Sequence, residues 1–267
     1  MCQFLGSSAT LLNGDTLSKL IPLDGIFEKD DLVIYEMPEE NSLYMITVDT
    51  AEGIGGDYST FSVIKISETP YKLVAKYRNN LISQLLFPDL IHQVGKQFND
   101  AHVLIEIDSV GKQVAQILYD DLEYENLLMV GQKNKSGQFL SIGNDVNYGV
   151  KMSKQVKRIG CRTLKTLMEE NKMIIHDKDI ITEFATFIEK RGSFMADETY
   201  HDDLIMTLVI FAWASQDAFF KDLTNIDSRK VLFDKKIKEI ENDVLPTGFY
   251  FNGLEDEIKE IEDIIDF

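Results

Sequence analysis

Only two cysteines, Cys2 and Cys161, occur in 267 residues, far apart and without CxxC spacing. This argues against a disulfide framework and against a cysteine-built zinc site, and a reducing, intracellular setting is expected. No apolar run approaches the ~20 residues that a membrane helix needs. The first residues lack a charged segment ahead of an apolar block, so neither a span nor a signal peptide is expected. No internal repeat is visible, and no GxxxxGK[ST] phosphate loop occurs.

What is present supports a sizeable core: 44% of the residues are hydrophobic and 10% aromatic, enough for one large domain or a domain with appendages. The formal net charge of −18 would ordinarily discourage nucleic acid, but the charge is unevenly placed. Between Gly131 and Lys165 stand Lys133, Lys135, Lys151, Lys154, Lys157, Arg158, Arg162 and Lys165 against Asp145 alone. From Asp234 onward eleven acids face four lysines, a net of −7. A basic middle before an acidic tail fits a local polyanion-binding face.

The organising stretch is YMITVDTAEGIGGDYSTFSVIKI, Tyr44–Ile66. A short apolar run ends on Asp49, passes through Gly53, Gly55 and Gly56, and resumes as a second strand at Ser59–Ile66, which reads as a β-hairpin. Residues 1–43 carry turn signals around short apolar pieces and read as a lead-in from a longer polypeptide. After the hairpin, strands are expected at 71–77, 102–107 and 127–130, and helices over 87–98 and following Ser109. Residues 131–149 read as an exposed loop or hairpin. Further helices are expected over 151–171, 180–189 (stopped by Gly192) and 201–214, with 173–176 extended. Beyond Asp222 the chain turns charged, and 231–242 and 254–264 have amphipathic helical spacing. Strands alternating with helices after a meander predict an α/β or α+β three-layer fold.

Three acids stand at element boundaries: Asp49, Glu106 in HVLIEI, and the pair Asp202/Asp203 opening an apolar helix. Acids delivered by separate elements suit hard divalent cations, and two such ions can clamp the attacking and leaving oxygens of a phosphodiester. Each also has a plainer reading. Asp49 can cap its own turn, and Asp202 and Asp203 can serve as helix N-caps. Glu106 has few structural reasons to sit in a buried strand. The basic residues Lys151, Lys154, Lys157 and Arg158 recur at three- and four-residue spacing near a helix start, with Lys133 and Lys135 on the preceding loop. They read as a DNA-backbone track, or as a solvated helix face.

VDTAEGIGGDYST, VLIEIDSVG and HDDLIMTLVIFAW, together with CQFLGSS and YGVKMSKQVKRIGCRTLK, resemble the nuclease domain of the large terminase subunit of T4-like tailed phages. The resemblance runs from about residue 2 to about residue 220. It implies an RNase H-like (RuvC-like) α/β fold, a central mixed sheet flanked by helices. The nuclease would be residues 44–222, with a lead-in at 1–43 and an acidic tail at 223–267. It implies a Mg²⁺- or Mn²⁺-dependent endonuclease, with two ions held by Asp49, Glu106 and Asp202 or Asp203, cutting concatemeric double-stranded DNA during packaging. His201 and Asp57 are accessory candidates, each with a structural alternative. It further implies a portal and a small terminase subunit as partners, and action in the host cytoplasm and transiently on the prohead. The packaging ATPase of such proteins is expected to lie outside this chain, since no P-loop occurs. Two other readings stand beside it. One is a docking module whose acidic tail binds the portal or small subunit. The other is an actin- or sugar-kinase-like phosphotransferase, against which no second, DxG-type phosphate hairpin is found.

Overall fold

Alternation of side chains along Tyr44–Asp49 decides how the molecule is layered. In a strand, neighbouring residues face opposite sides. Tyr44, Ile46 and Val48 enter one core while Met45 enters the other. Both faces are buried, so the strand reads as a continuous apolar run and takes a central place in its sheet.

In the computed structural model of the chain, residues 10–132, 138–141 and 146–225 are described. In chain order the first half comprises α1 (Gly14–Ser18), β1 (Phe27–Lys29), β2 (Leu32–Ile34), β3 (Tyr44–Asp49), β4 (Ser59–Lys65), β5 (Tyr71–Asn79), α2 (Phe87–Gln97), β6 (His102–Ile105) and α3 (Ser109–Gln116). A π-helical turn, Ile117–Asp121, continues α3. The second half comprises β7 (Met129–Gln132), β8 (Gln138–Ser141), β9 (Val146–Asn147), α4 (Lys154–Glu169), β10 (Met173–Ile174), α5 (Lys178–Thr186), β11 (Phe187–Lys190), β12 (Ser193–Ala196) and α6 (Asp203–Ala214). A last helix, α7, spans Ala218–Asn225.

The main sheet runs β1-β2-β5-β4-β3-β6, with β10 also on β5. It is mixed: β3 pairs parallel with β6 and β5 with β10, the rest antiparallel. Helices α2 and α3 pack on one face through Phe87, Ile91, Val94, Val110 and Val114. On the other lie α4, α5 and α6 through Val156, Leu164, Ile180, Phe184 and the α6 side chains. This is the three-layer RNase H-like arrangement that the resemblance implies.

Every residue of α6 is buried, Asp203 included. A helix apolar all round belongs at the centre of a core, and each fully buried large side chain contributes roughly 1.5–3 kcal/mol. Two polar contacts fix how α6 lies on the sheet. Thr60 donates from Oγ1 to the Asp203 carbonyl at 3.1 Å, and the Ser62 and Thr207 hydroxyls share a hydrogen bond of 2.6 Å. Helix α5 is tied down by charge. Lys76, buried on β5, lies 3.0 Å from Asp177 and also pairs with Asp179, while Tyr35 donates to Asp177. Asp177 in turn caps α5 by accepting from the Ile180 N–H.

Two expectations change. The lead-in is partly structural: Leu11 and Leu12 are buried, and β2 pairs with β5, which makes its apolar LVI run a strand of the main sheet. The helix expected over 180–189 ends at Thr186, and a hairpin follows, because Arg191 and Gly192 both take positive φ (54° and 77°). Two such residues between paired strands make the tight turn that matches strand twist, so Gly192 turns a hairpin rather than stopping a helix. Of the loop or hairpin expected over 131–149, the hairpin is the outcome: β7 pairs antiparallel with β8, and β9 adds to β7 to make a small sheet. The helices expected at 231–242 and 254–264 lie outside the described residues. Among those described, no single helix is long and apolar enough to cross a membrane.

Candidate active site

Strands β3 and β6 bring two acids side by side. Their register pairs Val48 with Ile105, and the Glu106 N–H continues the ladder to the Val48 carbonyl at 2.9 Å. Period two then places Asp49 with Met45, and Glu106 with Leu104, on the face that α6 covers. The chain turns at once into α3, and only glycine fits at position 111. A Cβ there would collide with the Glu106 carbonyl oxygen. Asp108 caps α3 by accepting from the Gly111 N–H at 2.7 Å.

The third contribution comes from the start of α6. Asp202 occupies the N-cap position but makes no side-chain capping bond. Its Oδ2 instead accepts from the Ala196 N–H at 3.2 Å and lies 3.9 Å from the Lys157 ammonium. Asp203 follows, buried, with Oδ2 3.5 Å from His201 Nδ1 and no hydrogen-bond partner for that oxygen. The capping expected of these residues is carried by Glu183 of α5, whose Oε2 accepts from the Ile205 N–H at 3.0 Å. A buried carboxylate from a neighbouring helix thus satisfies an orphan donor of α6, and both aspartates at the helix start are left to face the sheet acids.

The acids feel one another. Burial raises the Asp49 pKa well above the usual carboxylate range, and Glu106, Asp203 and Asp202 add to it. Burial lifts Glu106 to about 7, with Asp108 and Asp202 adding and Lys157 opposing. Asp203 rises to about 6 through burial and the charge of Asp57, against His201 and a hydrogen bond from the Tyr58 N–H. Desolvation and like charge together produce this pattern. As placed, among the described residues, no three His, Cys, Asp or Glu side chains form a group that could hold one ion. The donor set nevertheless fits a hard divalent cation, being all carboxylate oxygen and including the unpartnered, buried Asp203 Oδ2. An ion would need the side chains to close upon it.

The sequence model of the terminase RNaseH-like domain matches residues 46–222. The chain belongs to this terminase family. Among solved structures it is similar to the large terminase nuclease of the thermophilic phage G20c, crystallised with magnesium (20% identity, TM-score 0.59, covering 78% of this chain and 97% of that one). The cobalt-bound form of the same nuclease matches at 21% identity and the same TM-score and coverage. The Thermus phage P74-26 large terminase nuclease domain matches at 20% identity and TM-score 0.53, over 75% of this chain and 92% of that one.

In this terminase domain the remaining expected residues fall into three places. Asp57, in the exposed glycine turn, and His201 both reach Asp203 electrostatically, and the His201 ring meets Tyr58 edge-on at 5.0 Å. Asp57, Asp108 and Thr50 help line a pocket of about 310 Å³ beside Asp49. Lys151, Lys154 and Arg158 are exposed. Lys151 follows Val150, whose carbonyl accepts from the Ile107 N–H at 2.8 Å, so the basic segment starts one residue from the ladder that holds Glu106. Arg158 and Arg162 border a groove of about 420 Å³. Lys157 is separate, turned inward toward Asp202. Lys133 and Lys135 lie outside the described residues.

Two residues escape a reading of the sequence. Arg78, at the end of β5, stacks its guanidinium 4.1 Å over the Tyr58 ring and pairs with Glu183 at 3.4 Å. Glu183 shares the buried face of α5 with Ile180 and Phe184. An acid among apolar residues at helical spacing was its one visible sign.

Proposed function

We propose that this domain is a metal-dependent DNA endonuclease of the large terminase of a T4-like tailed phage, cutting concatemeric viral DNA during packaging. The observation that carries the reading is the gathering of Asp49, Glu106, Asp202 and Asp203 from β3, β6 and α6 at one end of the sheet, with burial raising the pKa values of Asp49, Glu106 and Asp203. The similar phage nuclease crystallised with magnesium and with cobalt supports a divalent ion here.

Asp49, Glu106 and Asp203 would hold the ions, Mg²⁺ or Mn²⁺ and two in number, with Asp202 at the edge of the set. Bound ions supply a nucleophilic water at neutral pH and neutralise charge on the phosphate. The chain's own residues do the rest. Glu183 and Thr60 fix the start of α6, so the aspartates keep their place relative to the strand acids. Lys151, Lys154 and Arg158, with Lys133 and Lys135, attract phosphates without reading bases, which gives weak sequence preference. His201 and Asp57 adjust the charge around Asp203. A portal, a small terminase subunit and an ATPase domain of the same polypeptide complete the proposed setting, in the host cytoplasm and transiently on the prohead.

Supercoiled plasmid with Mg²⁺ or Mn²⁺, and an EDTA control, tests the reading. Cleavage is expected with either ion and none with EDTA. Asp49→Asn and Glu106→Gln are expected to abolish it while the protein stays folded by circular dichroism. Cleavage at the wild-type rate by either variant removes that residue from the metal site.

A further inference from the structure

Lys157 does not behave like its basic neighbours. Lys154 and Arg158 are exposed, whereas the Lys157 side chain retains only 21% exposure, and its ammonium stands 3.9 Å from Asp202 Oδ2. The same ammonium hangs 5.7 Å over the Phe187 ring. Its charge acts on Glu106 as well, opposing the rise in that carboxylate's pKa. One lysine therefore supplies positive charge to two of the acids assigned to the metal site. Like charges at such range repel strongly where water is partly excluded. A divalent ion drawing in Asp202 would displace the ammonium from it. Lysine suits this exchange, being a point charge on a flexible four-carbon stem, and the Phe187 face offers a resting place once the carboxylate lets go.

We propose that Lys157 is a tethered counter-cation of the acid cluster, which competes with the divalent ion for Asp202 and, when displaced, turns to a DNA phosphate. The inference rests on the proposed metal-binding role of the acids. It makes ion binding and DNA binding cooperative. An ion that frees the lysine strengthens the hold on DNA, and by linkage DNA strengthens the hold on the ion. Lys157 is thus a positioning residue for the acids before the ion arrives and a phosphate contact afterwards.

Calcium binding to the full chain without DNA, by titration calorimetry, tests the first half. Lys157→Gln is expected to bind Ca²⁺ roughly three- to tenfold more tightly than wild type, the size left to a partly exposed charge pair after solvent screening. Anisotropy of a labelled DNA duplex tests the second half. Lys157→Gln should lose DNA affinity several-fold in Ca²⁺ and little in EDTA, whereas Lys154→Gln should lose it equally in both and leave Ca²⁺ binding alone. Ca²⁺ binding by wild type that Lys157→Gln does not change overturns this proposal alone, as does an equal DNA loss with and without Ca²⁺. If neither protein binds Ca²⁺, the metal-site reading fails and this proposal with it.

Discussion

Replacing Glu183 by Gln separates the acid's charge from its shape. The amide oxygen can still accept from the Ile205 N–H, so the cap on α6 survives. What disappears is ionisation. Burial pushes the Glu183 pKa from the ordinary 4.5 to about 8, against the Ile205 N–H and Arg78, which lower it, while Asp203 and Asp202 raise it further. The folded form therefore holds its proton more tightly than the unfolded chain. Stability from this group is fully present below about pH 4.5 and is lost as pH rises to about 8. Inside that window the folded state binds up to one proton more, and wild-type stability falls by at most ~1.4 kcal/mol per pH unit. Glu183→Gln lacks this slope. Asp49, Glu106 and Asp203 titrate in both proteins, so the difference between the two curves reports Glu183 together with its repulsion by Asp203 and Asp202. Urea denaturation and thermal melting in EDTA, at half-unit steps from pH 5 to pH 8.5, give both curves. Glu183→Gln should gain on wild type up to about pH 8 and level off above it, by about 2–4 °C in Tm for each kcal/mol. Parallel curves would mean that Glu183 ionises as an exposed glutamate does, and its placement behind α6 would be wrong.

Other outcomes follow from packing and charge. A Cβ added at Gly160 of α4 would strike the Val209 carbonyl oxygen and lie 2.7 Å from Val209 Cγ1 on α6. Gly160→Ala should therefore cost about 1–3 kcal/mol, read by thermal melting, and should reduce cleavage by shifting the helix that bears Asp202 and Asp203. Lys151→Ala with Lys154→Ala should lower the slope of log affinity against log salt by about one unit for each phosphate no longer neutralised; an unchanged slope makes them an ordinary solvated face. Phe220 of α7 is buried against Tyr71 and Phe211, and Phe220→Ala should cost about 3–5 kcal/mol by denaturant titration. Removing residues 226–267 should leave metal-dependent cleavage intact, because every proposed ligand lies upstream; loss of cleavage in a folded truncation would assign the tail a part in the site.

Local periodicity carried the sheet. The apolar run at 44–48, the glycine turn and the strand after it are local signals, and β3 and β4 form where those signals lie. Asp49 and Glu106 were legible as candidates for the same reason, since an acid ending a buried strand is conspicuous in sequence. Choosing between Asp202 and Asp203 was not, because the choice depends on whether α6 is capped from within or by another helix. Glu183 and Arg78 acquire their roles from partners more than twenty residues distant. The spacing of Lys154, Lys157 and Arg158 suggested one common face. Burial of α4 against α6 splits that face and turns Lys157 alone toward the acids. Hairpin β11–β12 was hidden because Phe187 and Ile188 extend the apolar rhythm of α5 past its true end.

The parallel pairing of β3 with β6 also has a mechanical meaning. Adjacent strands lie about 4.8 Å apart, and backbone hydrogen bonds hold that spacing whatever the side chains do. In the proposed metal site, Asp49 and Glu106 would therefore form the fixed jaw of a vice. The opposing jaw, Asp202 and Asp203, is carried on a helix held by side-chain packing and a few polar contacts. Any adjustment of the opening to an ion of different radius falls to that second jaw and to the rotamers of the four acids, while the sheet stays rigid. Substitutions beneath α6 should accordingly alter which ion the site prefers, and substitutions within the ladder should decide whether a site exists.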